Sequence, residues 1–162
     1  MDRLIVSVSG VRGTIGQTLT PRVACDFGCA FATMLGAAGP GQRRRSVVVG
    51  RDTRPSGAMI RSAVAAGLLA GGADVVDLGV VTTPGVALMT RKLQADGGVM
   101  ITASHNPFPY NGIKFLQPSG PGLRAADAER LKAIWAGGQF DLADSGHVGG
   151  ESSDAGTHQA HI

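Results

Sequence analysis

Residues 46–80 read SVVVGRDTRPSGAMIRSAVAAGLLAGGADVVDLGV and hold two short apolar runs with an alanine-rich segment between them. The first run, SVVVG at 46–50, is short and β-branched, which is typical of a buried strand. The segment at 54–72 has a helical composition and closes with a glycine pair, a common helix stop. The run ADVVDLGV at 73–80 predicts a second strand. A strand, a helix and a strand in this order predict a parallel β-α-β unit.

The same alternation extends on both sides of this unit. LIVSVSG at 4–10 predicts a strand, and the segment at 20–36 predicts a helix with Thr20 as its N-cap and Pro21 as its first residue. Further along the chain we expect a helix from Thr83–Pro84 to about Gln94, strands at 97–102 and 112–116, and a last helix at 124–138. The predicted fold class is α/β, with a largely parallel, mixed sheet and helices on both faces.

Composition places the chain among folded proteins of ordinary size. It has 162 residues, of which 43% are hydrophobic and 17% charged, which is too apolar for a disordered chain. The weakly charged stretch from Ala63 to Met89 is broken by two aspartates, a glycine pair and Pro84, so it does not predict a membrane span. No signal peptide precedes Leu4. We expect a cytoplasmic protein with no membrane partner.

The composition changes after Gly137, where glycine, serine and aspartate dominate and apolar periodicity is weak. We predict an α/β domain over residues 1–138 and a linker toward a missing second domain over 139–162. His158 and His161 are interpreted as solvated linker residues and not as metal ligands. We expect the natural protein to continue beyond this segment.

Two small clusters have a structural and a functional interpretation. The net charge is +3, and the run Arg43–Arg45 could form a phosphate or nucleic-acid patch. A solvated loop is favoured because no aromatic residue interleaves with the arginines, so we expect no nucleic-acid partner. Cys25 and Cys29 lie four apart in the first predicted helix without further thiolates or imidazoles at ligand spacing. They are interpreted as small apolar residues in a reducing compartment.

Candidate binding residues lie in loops after predicted strands, where parallel sheets bind ligands. In the first loop, SGVRGTIG at 9–16, glycines expose backbone amides and Arg12 offers a fork of donors for phosphate. An ordinary turn is the alternative. In the second loop, GRDTRPSG at 50–57, Asp52 and the neighbouring arginines could bind a ligand. We favour a structural role, in which these side chains pair and cap a helix that begins at Pro55.

The third loop belongs to the segment TASHNPFPYNGIKF at 102–115. Ser104 needs activation or prior modification to act as a nucleophile. Adjacent residues of a strand face opposite ways, so His105 can assist Ser104 only if the chain turns, as Asn106–Pro107 predicts. Lys114 follows on the next strand, from which a cation could reach a phosphate. A polar connecting turn remains the alternative, and no carboxylate is indicated for a Ser-His-Asp triad.

The motifs together resemble a known family. TASHNP followed by NGIKF is similar to the phosphoserine loop of the α-D-phosphohexomutases, which include phosphoglucomutases, phosphomannomutases and phosphoglucosamine mutases. SGVRGTIG and GRDTRPSG also resemble that family, in the same order along the chain. The resemblance covers residues 4 to about 137 and implies the first domain of such an enzyme. SVSGVRGTIG at 7–16 looks closer to the phosphoglucosamine mutases.

The resemblance implies the chemistry of a mutase. Ser104 would carry a phosphoryl group and donate it to a hexose monophosphate, and the bisphosphorylated sugar would reorient and return a phosphoryl group to the serine. Hexose 1-phosphate and hexose 6-phosphate of glucose, mannose or glucosamine would be interconverted in this way. Arg12 and Lys114 would stabilise charge on the phosphoryl group, and His105 would be a general acid or base. An activator of the glucose 1,6-bisphosphate type is also implied.

One departure from the family is large. Its members have four domains, and an aspartate-rich loop of the second domain holds Mg²⁺ beside the phosphoserine. This sequence has no such run, so Ser104 would contact the metal through its phosphate and the remaining ligands would come from other domains of the same protein. We therefore expect no mutase activity from this chain alone. The alternatives are a non-catalytic module that binds phosphate or phosphosugars, and an anion or nucleic-acid binder that uses Arg43–Arg45.

Overall fold

The structure, a computed structural model, describes residues 3–160. Its strands are β1 (Ile5–Ser7), β2 (Gly10–Thr14), β3 (Ser46–Arg51), β4 (Asp74–Val80), β5 (Gly97–Ile101), β6 (Tyr110–Leu116) and β7 (Glu151–Ser153). Its helices are α1 (Pro21–Leu35), α2 (Gly57–Ala70), α3 (Thr83–Lys92), α4 (Ala125–Gly137) and α5 (Thr157–Ala160). The β-α-β unit over residues 46–80 is confirmed, since β3, α2 and β4 follow one another there.

The strands form one sheet in the order β1-β2-β6-β5-β3-β4-β7. β3 lies parallel to β4 and β5, and β4 lies parallel to β7. β1–β2, β2–β6 and β5–β6 are antiparallel pairs. The predicted mixed α/β sheet is confirmed. Because β3, β4 and β5 run the same way, the loops that follow them meet at one edge of the sheet.

Helices cover both faces of the sheet, as expected. On one face α1, α2 and α4 bury the larger core, in which Phe27, Phe31, Ile60 and Leu68 pack with Val47, Val49, Val99 and Ile101 of the sheet. On the other face α3 packs through Val86 and Met89 against Val48 of β3 and Met100 of β5. On this second face α3 therefore covers the parallel strands β3 and β5, and the antiparallel strands β6 and β2 lie beside the helix.

Helix α1 begins as the sequence predicts. Thr20 is its N-cap and accepts a hydrogen bond from the Val23 amide at 3.3 Å, and Pro21 is the first helical residue. Such a cap contributes about 1 kcal/mol. Cys29 is buried, and desolvation raises the pKa of its thiol to about 11, with a further contribution from neighbouring Cys25. Cys29 therefore packs as a small apolar side chain, while Cys25 is half-buried.

Residues 10–14 form a strand, so the prediction of a glycine-rich loop around Arg12 was wrong. β1 ends at Ser7, and after a short turn β2 pairs antiparallel with β6, with Arg12 opposite Gly112. Arg12 consequently lies in regular sheet, where its position is fixed by hydrogen-bonded neighbours on both sides.

Helix α2 begins at Gly57, later than the predicted start at Pro55. The prediction that Asp52 caps it was also wrong, because Asp52 Oδ1 accepts from the Arg54 amide at 3.0 Å and so forms a local turn. The expected pairing between these residues is confirmed, with Arg54 Nε at 3.4 Å from Asp52 Oδ2.

The segment predicted as a linker contributes one strand and one short helix. β7 adds to the sheet edge beside β4, and Arg61 of α2 forms ion pairs with Asp77 of β4, at 3.0 Å, and with Glu151 of β7. All three residues of β7 are exposed, which explains the missing apolar pattern. The boundary at residue 138 and the second domain stay predictions. His158 is exposed, and His161 lies outside the described residues.

The arginine run connects the start of β3 to its neighbours. Arg43 and Arg45 both pair with Asp96, which precedes β5, and Arg44 pairs with Asp74 at the start of β4. These contacts favour the structural interpretation of the run. In the part of the chain that the structure covers, every helix is too short or too polar to cross a lipid bilayer.

Candidate functional site

Ser104 lies in the loop between β5 and β6, at the carboxyl ends of β3 and β5. The two ends are joined by the Asp52 amide, which donates to the Ile101 carbonyl at 3.0 Å. Ser104 has a φ of 56°, in the left-handed region that a residue with a Cβ rarely adopts. Its side chain is exposed, and its hydroxyl has no hydrogen bond to any residue between 3 and 160. A free hydroxyl is thus presented on a constrained backbone.

The turn expected from Asn106–Pro107 is confirmed. The Asn106 amide donates to the Ala103 carbonyl at 3.1 Å, which closes a turn around Ser104 and His105. The Ser104 amide donates to Thr102 Oγ1 at 2.9 Å and so fixes the entry to the turn. Ser104 and His105 are both exposed at its tip, where a ligand can reach them.

The structure brings Arg12 directly to this loop. Arg12 Nη1 donates to the side-chain oxygen of Asn106 at 3.2 Å, and its guanidinium makes no other hydrogen bond among residues 3–160. The remaining donors of Arg12 are therefore available to a ligand beside Ser104.

Lys114 shares the sheet face of Arg12. Gly112 is paired with Arg12, and Lys114 lies two residues further along β6, so both side chains project from the same face. Lys114 is half-buried and forms no ion pair within residues 3–160. Neither Lys114 nor His105 is hydrogen-bonded to Ser104 or Arg12 in that range. The face next to the loop therefore carries two cations that have no carboxylate partner in the described part of the chain.

Arg54 is a site residue whose role was not predicted. Its guanidinium donates to four backbone carbonyls of the loop, those of Ser104, Asn106, Pro107 and Tyr110. In the sequence, Arg54 stands two residues after Asp52, which indicates a local ion pair. Its contacts to backbone carbonyls some fifty residues away could not be predicted, because they do not depend on which side chains those residues carry.

A buried asparagine supports the far side of the loop and was also missed. Asn111 is fully buried, its Nδ2 donates to Ser56 Oγ at 2.8 Å, and its Oδ1 accepts from the Gly112 amide at 2.8 Å. Gly112 is itself required, since a Cβ there would lie 2.7 Å from the carbonyl oxygens of Thr102 and Val11. The start of β6 is thus fixed to the start of α2.

The residues described do not fit a complete Mg²⁺ site. No group of three or more His, Cys, Asp or Glu side chains is placed to hold a metal ion within residues 3–160. Asp52 is the carboxylate adjoining the Ser104 loop through Arg54, and it is already paired with that guanidinium. Octahedral oxygen coordination needs more ligands than this loop offers.

Known proteins share the sequence pattern of this chain. Residues 3–141 match a family model described as phosphoglucomutase/phosphomannomutase, alpha/beta/alpha domain I. A phosphoglucomutase/phosphomannomutase of Thermococcus kodakarensis is 44% identical over 140 residues, which are 86% of this chain and 30% of that protein. A phosphoglucosamine mutase of Macrococcus caseolyticus is 50% identical over 125 residues, which are 77% of this chain and 28% of that protein.

A solved structure has a similar fold. The crystal structure of a phosphoglucomutase/phosphomannomutase family protein from Burkholderia thailandensis superimposes with a TM-score of 0.81 and 31% identity, over 96% of this chain and 34% of that one. The chain therefore spans about 30% of the length of the curated relatives it matches.

Proposed function

Because this chain belongs to the phosphoglucomutase/phosphomannomutase family, matching its α/β/α domain I, we propose that it supplies the phosphoryl-carrying serine of a phosphohexomutase. Ser104 is the proposed carrier. The observation that carries this proposal is its exposed hydroxyl, which has no hydrogen bond among residues 3–160 and is held on a left-handed turn whose Asn106 contacts Arg12. The proposed reaction interconverts hexose 1-phosphate and hexose 6-phosphate, with a bisphosphorylated sugar as the intermediate.

Each residue of the site has a role in this scheme. A substrate hydroxyl attacks the phosphorus atom on Ser104, the bond from phosphorus to Oγ breaks, and His105 accepts the hydroxyl proton, which is then returned to the departing Oγ. After the sugar bisphosphate reorients, Oγ attacks its other phosphoryl group, the bond from that phosphorus to the sugar oxygen breaks, and the Ser104 proton passes to the sugar oxygen. Arg12 and Lys114 stabilise the negative charge on the transferring group, because both project from the face beside the loop and have no carboxylate partner among residues 3–160.

We propose that further domains of the same protein complete the site. This chain spans about 30% of the relatives' length, which leaves room for them. A phosphate on Ser104 would supply a Mg²⁺ ligand, and the other ligands and the sugar contacts would come from those domains. The substrate class is a hexose phosphate, in agreement with the mutase names of the relatives. A cytoplasmic location stays a prediction.

The test uses the full-length protein with glucose 1,6-bisphosphate as the phosphoryl donor. Intact mass and phosphosite mapping should find one phosphate on Ser104, and Ser104→Ala should lose both the phosphate and the mutase activity. Full activity in that variant would overturn the proposal. Wild-type binding of hexose phosphates without any phosphate on Ser104 would indicate a non-catalytic binding module instead.

Lys114→Ala tests the electrostatic part of the mechanism. Removing one preorganised cation should lower kcat by about a hundredfold with little loss of stability. Lys132→Ala is the matched control, because Lys132 is exposed on α4, the helix that covers the opposite face. An unchanged kcat for Lys114→Ala would remove Lys114 from the mechanism.

A further inference from the structure

The guanidinium of Arg54 donates four hydrogen bonds from its Nη atoms and lies beside a carboxylate at Nε. An arginine carries five N–H donors in a planar fork. Nη1 donates to the carbonyls of Pro107 and Tyr110 at 3.1 and 3.0 Å. Nη2 donates to those of Ser104 and Asn106 at 3.1 and 2.7 Å. Nε lies 3.4 Å from Asp52 Oδ2, and the side chain is only 17% exposed.

We propose that Arg54 is the positioning residue of the Ser104 loop: it holds Ser104 in its left-handed conformation for phosphoryl transfer without binding the phosphate itself. This inference rests on the proposed function. The loop carbonyls that Arg54 contacts belong to residues 104–110, which include Ser104 itself, so the contacts control the orientation of the backbone that carries Oγ.

The contacts of Arg54 exclude it as a phosphate ligand. Its Nη donors are occupied by the four carbonyls, and the Asp52 carboxylate, which forms an ion pair with Nε, offsets its charge. Arg12 differs in both respects, since it makes a single hydrogen bond, to Asn106, and has no ion pair within residues 3–160. The two arginines therefore have different roles, because Arg54 positions the loop and Arg12 keeps donors available for the ligand.

The four carbonyls explain why the loop needs this side chain. Their oxygens converge on one guanidinium. Without it, the negative ends of four carbonyl dipoles would face one another in a partly buried space and repel one another. The loop would have to open to hydrate them, and Ser104 would lose the constraint that keeps it at a φ of 56°. A lysine cannot replace the fork, since its three donors project from one point.

The sheet provides the anchor. The Asp52 amide donates to the Ile101 carbonyl at the end of β5, and Asp52 Oδ1 accepts from the Arg54 amide, each at 3.0 Å. The backbone and the side chain of Arg54 are thus both tied to Asp52, and through it to the central strands. Asp52 and Arg54 therefore connect the ends of β3 and β5 to the backbone of Ser104.

The test compares Arg54→Ala and Arg54→Lys in the full-length protein. We expect kcat to fall by about a hundredfold in both, with KM changed less than about threefold, because misplacement of a reacting group by about 1 Å has an effect of this size. Amide hydrogen exchange over residues 103–110 should accelerate in both variants. Millimolar guanidinium should restore part of the kcat of Arg54→Ala, and ammonium should not.

Arg43→Ala is the matched control. Arg43 also combines an aspartate with backbone carbonyls, since it contacts Asp96 and the carbonyls of Arg44 and Gln94, but it lies before β3 at the opposite edge of the sheet. Its loss should leave both kcat and the exchange of residues 103–110 unchanged.

Several outcomes would overturn the inference. A wild-type kcat in Arg54→Lys would show that a positive charge at this position suffices. If Arg54→Ala does not fold, the kcat of Arg54→Lys alone tests whether Arg54 positions the loop. Unchanged loop exchange in Arg54→Lys would also contradict a positioning role. Failure of the proposed function is seen separately, as retained activity in Ser104→Ala.

Discussion

Ser104 adopts a backbone conformation that is unfavourable for serine, and this has a measurable consequence. A left-handed φ of 56° costs a residue with a Cβ about 1–2 kcal/mol, whereas glycine adopts it freely. Ser104→Gly should therefore have a free energy of unfolding about 1 kcal/mol higher than Ser104→Ala, although both lack the hydroxyl and neither should accept a phosphoryl group. Urea denaturation of the two variants measures the difference.

Ser119 gives the control for this comparison. It is exposed in a loop and does not have a positive φ, so glycine there should be no more stable than alanine. Equal stabilities of Ser104→Gly and Ser104→Ala would mean that the loop relaxes without loss, and that the conformation of Ser104 is not held by its surroundings.

At the residue scale, the sequence predicts the turn that presents Ser104 better than the side chains that organise the loop. The turn around Ser104 follows from Asn106–Pro107, because these residues have local backbone preferences. The role of Arg54 could not be predicted, since its partners are backbone carbonyls, which every residue has. The role of Asn111 could not be predicted either. The sequence does not show whether an asparagine is buried, and the hydrogen bond from Asn111 to Ser56 is known only from the fold.

At the scale of elements, α1 and α2 approach each other backbone to backbone. A Cβ on Gly67 would lie 2.2 Å from the Cys25 carbonyl oxygen, and one on Gly28 would lie 2.3 Å from that of Val64. Neither obstacle is a flexible side chain, so a methyl group must push the helices apart. We expect Gly67→Ala to lower the free energy of unfolding by about 1–3 kcal/mol, measured by urea denaturation.

Gly137→Ala is the helical control, because a Cβ there meets no atom within 4 Å. It should be neutral or stabilising by up to about 1 kcal/mol, as alanine is the better helix former. A neutral Gly67→Ala would show that α1 and α2 can separate at little cost, and that their close contact does not contribute to stability.

The two strands that the sequence did not predict have a common physical origin. β2 reads GVRGT, and glycine is unfavourable in strands, yet the segment is extended because β6, about a hundred residues away, pairs with it. β7 reads ESS and is exposed throughout, so it is defined by its pairing with β4 and by Arg61. Strands with a buried apolar run, such as β3, were predictable from their own residues.

At the scale of the whole molecule, the site is open on the side where a substrate would bind. Ser104 and His105 are exposed, and the neighbouring Phe108 is 78% exposed at the tip of the same loop. Residues 3–160 hold the proposed carrier Ser104, the proposed positioning residue Arg54 and the cations Arg12 and Lys114, but no carboxylate cluster for a metal. Water would therefore reach a phosphoryl group on Ser104 freely, whereas the proposed transfer to a sugar requires a closed and drier site.

The isolated chain of residues 1–162 should consequently fold without catalysing the interconversion. Cooperative urea unfolding should show a folded domain, while incubation with hexose 1-phosphate and glucose 1,6-bisphosphate should give no hexose 6-phosphate above background under conditions in which the full-length protein converts it. The same chain with Ser104→Ala defines the background from contaminating enzymes. Turnover by the isolated chain within about tenfold of the full-length rate would mean that Arg12, Lys114 and His105 suffice for transfer, since electrostatic stabilisation by the proposed further domains should contribute far more than that.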